Sequence, residues 1–447
     1  LTSVGLPPPA RHRIVIVGGG AGGLPLAARL GDKLGRRGGP EITLVDRYAT
    51  HLWKPLLHEV AAGRMDADVH GVDYLALAYW HHFRFRQGTV AGLDRARHEL
   101  TLDPVFDDDG ALMLPRRVLR YDTLVFCVGS VSNDFNIPGV AAHAIALDTF
   151  KDAERFHRRL LAACVRADAE AGAGRPAGVN IVIIGAGATG VELAAEIRHT
   201  TGAHASYGLD HLDPEKDIRQ TIVEAAPRIL PLLSQHVAEA AKGLLAKLDV
   251  DVRTGERVTA VDASGVHTAS GAFYAADLVV WAAGIKAPDW LNGLDGLETG
   301  RGNQLVVMTT LQTTRDADVF AFGDCAACPW PEAGREGALV PPRAQAARQQ
   351  ALLLVKSMQA RLAGTPLPTY RFRDFGSLVS LGELSAVGSL MGRLVGGSLL
   401  VQGLIARWMY ASLYKLHQAL IFGYLGVALD TVGRFLRRRT APRVKLH

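Results

Sequence analysis

Two sets of glycines carry the first chemistry legible in this 447-residue chain. Gly18, Gly20 and Gly23 stand in RIVIVGGGAGG, and Gly185, Gly187 and Gly190 in VNIVIIGAGATGV. In G-x-G-x-x-G spacing the first glycine turns the chain tightly and the second lets backbone approach a pyrophosphate. The third lets a helix pack against the preceding strand, with the helix N-terminus facing the phosphates. One such set is a weak signal. Two sets, each between a β-branched run and a small-residue helix, point to two dinucleotide sites. An acid ends the next apolar run each time, Asp46 after Ile42–Val45 and Glu224 in Ile222–Glu224. An acid there hydrogen-bonds the ribose of an adenosine; for Asp46 the plainer alternative is a solvated strand end. Glu224 would repel a 2′-phosphate and so favours NAD over NADP, while Arg228 pulls the other way.

Other residues could act beside such cofactors. HLWKPLLHEVAAG, from His51 to Gly63, is too aromatic and basic for a plain connector. Lys54 in it could stabilise a reduced flavin anion, the alternative being a surface loop with a packed Trp53. VFAFGD reads as a strand ending in Asp324, which could contact a ribityl chain. In PPRAQAARQQ, Gln345 and Gln349 share one helix face. Cys325 and Cys328 could form a redox dithiol or a soft-metal site. With no further Cys or His nearby, incidental packing is favoured.

The elements that must position these residues repeat. Ile14–Val17 and Ile181–Ile184 read as strands, Leu26–Leu34 and Val191–Ile197 as the helices after them. YDTLVFCVG, ending at Gly129, and ADLVVWAAG, ending at Gly284, correspond in the two halves, so the internal repeat is visible at three points. Residues 83–122 suggest an antiparallel meander, Arg155–Ala171 a helix, and Ala203–Asp217 an inserted polar loop. Because Val319–Asp324 follows the second half, the second domain is expected to be inserted in the first. The expected ranges are 1–150 and 291–365 for the first domain, 151–290 for the second, and 366–447 for a C-terminal region.

Composition limits the class. With 48% apolar and 21% charged residues the chain is globular. Four cysteines make no disulfide framework in this length, so a reducing compartment is expected, and no secretory signal is read at the N-terminus. The net charge of +5 is uneven: Leu404–His447 carries eight Lys and Arg against Asp430 alone, which leaves −2 elsewhere. In that tail Ile405, Trp408, Met409, Ser412, Leu416 and Leu420 recur at helical spacing, with Arg407, Lys415 and Gln418 on the other side. The longest charge-free stretch there, Leu416–Leu429, is 14 residues, short of the ~20 that span a bilayer. A basic amphipathic helix followed by RFLRRR suits an anionic membrane surface. A dimer-interface or core helix is the alternative, and the large apolar face argues against nucleic acid.

Taken together, IVIVGGGAGG, HLWKPLLHEVA, YDTLVFCVGS, SNDFNIPGV, IGAGATGVELAAE, VVWAAGIKAP, QLVVMTTLQTT, FGDCAACP, PPRAQAARQ, GSLVSLG, VGSLMG and SLYKLHQ resemble the type II NADH dehydrogenases, end to end. These are the single-subunit NADH:quinone oxidoreductases of bacterial respiratory membranes, and RFLRRRTAPRVKLH looks like their proteobacterial branch. The resemblance implies an α/β protein of two Rossmann-like domains with a C-terminal membrane-associating segment. It implies FAD in the first domain, NADH in the second, a membrane quinone as acceptor, and hydride relay without proton pumping at the cytoplasmic face of the inner membrane. Gly18, Gly20, Ala21, Gly22, Gly23, Asp46, Arg47 and Val90 would hold FAD, with Lys54, Gly129, Asp324 and Gln345 beside it. Gly185, Gly187, Gly190, Glu224 and Gly284 would take NADH. Glu192, in TGVE, would stand between nicotinamide and flavin, unless it is a first-turn carboxylate that offsets the helix dipole. Gln345 and Gln349 would border flavin and quinone channel. Pro25 departs from the family, whose members commonly carry Glu there. The rivals are a disulfide or metal reductase of the same architecture, whose early Cys pair is missing, and a redox sensor without fast turnover. Dimerisation is left open.

Overall fold

The computed structural model describes residues 11–36, 38–51, 53–65, 71–205, 208–380, 386–391 and 398–437. In chain order the elements that build the two main sheets and their helices are β1 (Arg13–Val17), α1 (Gly23–Leu34), β2 (Glu41–Asp46), β3 (Arg84–Gln87), β4 (Thr123–Phe126), β5 (Ala144–Ala146), α2 (Phe150–Gly172), β6 (Val179–Ile184), α3 (Ala188–Ala205), β7 (Ile218–Glu224), β8 (Val250–Thr254), β9 (Leu278–Trp281), β10 (Asp316–Ala321), α4 (Ala344–Leu362) and α5 (Gly403–Arg437).

Two compact units result. Unit 1 comprises Leu1–His51, Gly71–Val131 and Lys286–Arg373; unit 2 comprises Leu52–His70, Ser132–Ile285 and Asp374–His447. Set beside the expected ranges, residues 52–70 and 132–150 cluster with the second unit and 366–373 with the first. Unit 1 holds the parallel order β3-β2-β1-β4-β10, extended by an antiparallel edge strand, Gln312–Thr313. Unit 2 holds the parallel order β8-β7-β6-β9-β5. Both are doubly wound sheets whose strand order reverses at the fingerprint strand, where ligands bind.

Sequence accounts for the framework. RIVIV and VNIVII are almost fully buried, as β-branched residues in a sheet covered on both faces should be. The meander appears in part, as the antiparallel sheet of Arg117–Arg120, Glu99–Leu102 and Val90–Asp94, whereas Arg84–Gln87 joins the main sheet in parallel beside β2 and Leu112–Leu114 pairs with Val105–Phe106. Thr149 and Asp152 form a reciprocal capping box that starts α2. Besides shifted ends, such as α2 beginning at Phe150 and β10 ending at Ala321, three differences from expectation stand out. α1 begins at Gly23, so Pro25 falls in the first turn, where its missing N–H is tolerated. α3 runs on to Ala205, into the stretch expected to be loop.

The third difference is in the tail. A three-stranded antiparallel sheet, Gly376–Ser380, Ala386–Met391 and Ser398–Gln402, precedes α5. α5 turns at Gly423, at φ 72° and ψ 165°, a conformation essentially confined to glycine. The Lys415 ammonium meets the Asp430 carboxylate at 3.4 Å across that turn. A straight helix would hold residues fifteen apart far out of contact, so α5 is two arms folded back, and the charge-free stretch straddles the fold. Gln418, expected on the polar face, is buried. The side chains of Ile405, Arg407, Trp408, Met409 and Leu420, and most of the closing basic run, lie outside the described residues. Among the described residues no helix is long and apolar enough to cross a membrane.

Candidate functional site

The two fingerprint loops are built alike. Gly18 has φ +103° and Gly185 φ +104°, values that favour glycine. A Cβ on Gly18 would lie 2.5 Å from the Cys127 carbonyl oxygen, and one on Gly185 2.8 Å from that of Ala282. Gly23 and Gly190 each lie so close to the carbonyl of the first glycine that any side chain would collide. Gly20 and Gly187 are the exception: a Cβ there meets nothing within 4 Å. The middle glycine thus faces open space in both loops, at helix starts without a first-turn acid. That is a cradle for a pyrophosphate, and it is present twice.

Each predicted ribose acid is wired to its own loop. Asp46 accepts from the Gly19 N–H at 2.6 Å and the Tyr48 N–H at 2.9 Å. Glu224 accepts from the Ala186 N–H and the Ala226 N–H, both at 2.7 Å. Burial pushes Asp46 above the ordinary carboxylate range, and the two N–H donors pull it partly back. The exposed Arg47 lies over the Tyr48 ring, and Val90 is buried at the meander's edge opposite Leu102.

Unit 1 also gathers Gly129, Asp324 and α4. Gly129, at φ +72°, borders open space. Ser130 Oγ donates to Asp324 Oδ2 at 2.9 Å. The buried Gln350 accepts from the Gly323 N–H at 2.8 Å, which ties α4 to the turn carrying Asp324. Gln345, half-buried, opens α4 beside that turn. Gly22 packs under Phe322, which leaves its position no room for a side chain. Gln349 is held by Arg373: its amide donates to the Arg373 carbonyl at 2.8 Å and accepts the Arg373 N–H at 3.1 Å. Cys325 and Cys328 are buried thiols that burial pushes up to about 12, so neither is a thiolate near neutrality.

In unit 2, Glu192 is the fifth residue of α3, past its first turn, so a plain dipole-offsetting carboxylate is not what the helix shows. It is 7% exposed. It accepts from the Ser380 N–H at 3.0 Å, and His58 Nδ1 lies 3.6 Å from its Oε2. Burial, with Arg64 nearby, lowers His58 to about 4, so the imidazole is neutral. One turn along α3, the buried Glu196 binds Arg64 at 2.8 Å. Lys54 was expected as a cation beside a flavin. Its ammonium pairs with Asp148 at 3.1 Å. Gly284, at φ +68°, lies under the Phe135 ring. Arg228 donates to the carbonyls of Pro231 and Leu233, both at 2.8 Å.

Sequence reasoning did not single out His51, His58, Tyr74, Ser130 or Ser380. The two histidines lie in the unusual HLWKPLLHEVAAG stretch, and Ser130 and Ser380 in the quoted YDTLVFCVGS and GSLVSLG, whereas Tyr74 lies in none of them.

The family model for pyridine nucleotide-disulphide oxidoreductases matches residues 12–351. A type II NADH:quinone oxidoreductase of Haemophilus influenzae is 42% identical over 97% of this chain and 99% of its own. The chain belongs to the type II NADH:quinone oxidoreductases. The family member NdhA of Mycobacterium tuberculosis is 30% identical over 85% of this chain and 79% of its own. The fold matches that of Plasmodium falciparum NDH2 in complex with NADH, with a TM-score of 0.79 at 17% identity over 98% of this chain and all of that one.

Proposed function

We propose that unit 1 holds FAD and unit 2 takes NADH, in a peripheral membrane enzyme. The activity is that of the family: NADH is oxidised and a quinone reduced, with FAD as cofactor. The observation that carries the placement is the doubled cradle, Gly20 and Gly187 each open above a loop clamped by its own acid. Bound FAD supplies a two-electron relay between NADH and the quinone.

The chain's own residues do the rest. In unit 1 the Gly18–Gly23 loop takes the flavin pyrophosphate and Asp46 its ribose. Ser130 holds Asp324, and Gln350 holds the turn that carries it, so that Asp324 is presented to the ribityl chain. In unit 2 the Gly185–Gly190 loop and Glu224 take the adenosine half of NADH. Arg228 is engaged by backbone carbonyls and so gives no phosphate clamp, which supports NADH over NADPH. Glu192, fixed by the Ser380 N–H beside a neutral His58, is presented to the nicotinamide end. The membrane surface is met by the second arm of α5, where Tyr424, Leu425, Leu429 and Val432 are exposed together. The enzyme faces the cytoplasm and pumps no protons.

The purified protein's absorption spectrum tests this reading. A flavin band bleached by NADH and restored by a quinone is expected. Gly20→Val should remove the flavin, whereas Gly187→Val should keep it but abolish bleaching. A flavin that survives Gly20→Val and is lost with Gly187→Val reverses the assignment. Binding to anionic vesicles that survives deletion of residues 404–447 would refute the membrane role of the tail.

A further inference from the structure

The peptide after the first glycine of each fingerprint is held at both ends, but by different partners in the two units. Its N–H goes to the acid each time, Gly19 to Asp46 and Ala186 to Glu224. The carbonyls part company. That of Ala186 accepts from the backbone N–H of Leu230 at 2.8 Å. That of Gly19 accepts from the Tyr74 hydroxyl at 2.8 Å, and the His51 ring lies 6.2 Å from the Tyr74 ring.

Both side chains are buried, Tyr74 at 2% and His51 at 5% exposure. Tyr74 is stacked on Phe85, with centroids 4.9 Å apart. The two come from one small construction. Thr50–His51 pairs with Val72–Asp73, and Asp73 caps the helix that Tyr74 begins. Burial pushes the phenol well above its ordinary range and the imidazole down to about 4. At neutral pH, then, one is a protonated phenol and the other a neutral ring. The lock also explains a difference between the repeats. A Cβ at position 19 would collide with the Tyr74 hydroxyl, so the first loop reads Gly-Gly-Gly where the second reads Gly-Ala-Gly.

We infer that Tyr74 is a positioning residue for FAD: its hydroxyl, on a ring packed beside buried His51, fixes the Gly19 carbonyl and pre-sets the loop around the open Gly20, making the flavin resident. A peptide already fixed before the ligand arrives removes an ordering cost from binding, and its buried hydrogen bonds face no competition from water. Among the described residues, the second loop has a backbone partner alone at this carbonyl, which suits a substrate that must leave. The inference rests on FAD occupying unit 1.

The test follows FAD release from purified holoprotein by the rise of free-flavin fluorescence, with NADH affinity measured in parallel. Tyr74→Phe removes one hydroxyl and should speed release about tenfold, the worth of one buried hydrogen bond. Tyr74→Phe with His51→Phe should speed it by at least about tenfold. NADH affinity should change less than about twofold, since the second cradle lacks this donor. Unchanged FAD release in both variants overturns the inference. So does a matching loss of both ligands, which would mean general loosening. Gly20→Val separates the two levels. If it speeds FAD release while Tyr74→Phe does not, the lock alone fails. If Gly187→Val speeds release and Gly20→Val does not, the placement fails and the inference with it.

Discussion

Gly19 and Ala186 occupy the same step of the same turn, and the chain treats them differently. Everything that makes a dinucleotide cradle is common to both loops: the left-handed first glycine, the open second, the crowded third, the acid on the N–H. What differs is the partner of one carbonyl, a buried tyrosine hydroxyl in one unit and a backbone N–H in the other. Recognition of a dinucleotide is therefore carried by local geometry that repeats. How long the dinucleotide stays is carried by tertiary contacts that do not.

The largest test strikes what the loops share. Gly18→Ala and Gly185→Ala each force a side chain into a positive-φ turn against a carbonyl. Each should lower affinity for its own dinucleotide by about a hundredfold or more; equal loss of both ligands from either change would break the comparison. A smaller effect strikes the difference. Gly19→Ala should displace the Tyr74 hydroxyl and cost about tenfold in FAD retention. Ala186→Gly keeps the backbone bond from Leu230 and should alter NADH affinity by less than about threefold. Titrating both ligands against both variants checks this, and symmetric effects would erase the distinction.

The smallest test concerns the ground under the second loop. Burial, opposed by Arg64 and helped by Glu196, raises Glu59 to about 7 from an unfolded value of 4.5. Between those values the native protein holds a proton that the unfolded chain has released, so stability falls as pH rises through the window. Glu59→Gln should flatten that slope in melting curves, whereas FAD release at fixed pH stays as in the parent. A slope unchanged in the variant would assign it elsewhere.

Sequence and structure agree where the information is local. Glycine spacing, β-branched strands and strand-end acids lie within a few tens of residues of one another, and so the doubled fold and both cradles were legible. The misses come from contacts between distant segments. Nothing near Tyr74 marks its bond to Gly19, and Ser380 reaches Glu192 across 188 positions. The C-terminal sheet escaped notice because its glycine- and serine-rich strands alternate weakly. The tail's helical period persisted through Gly423, so one glycine conformation hid the fold-back of α5.

The bond from Ser380 to Glu192 ties the strand that opens the C-terminal sheet to the helix of the NADH cradle. Thermodynamic linkage across such a tie is reciprocal. Any bias placed on that strand reaches the Glu192 carboxylate with the same free energy that a bias on the carboxylate returns to the strand. If unit 2 takes NADH and the tail meets the membrane as proposed, occupancy of the nicotinamide end and engagement of the tail should be coupled, and each can be measured from the other's side.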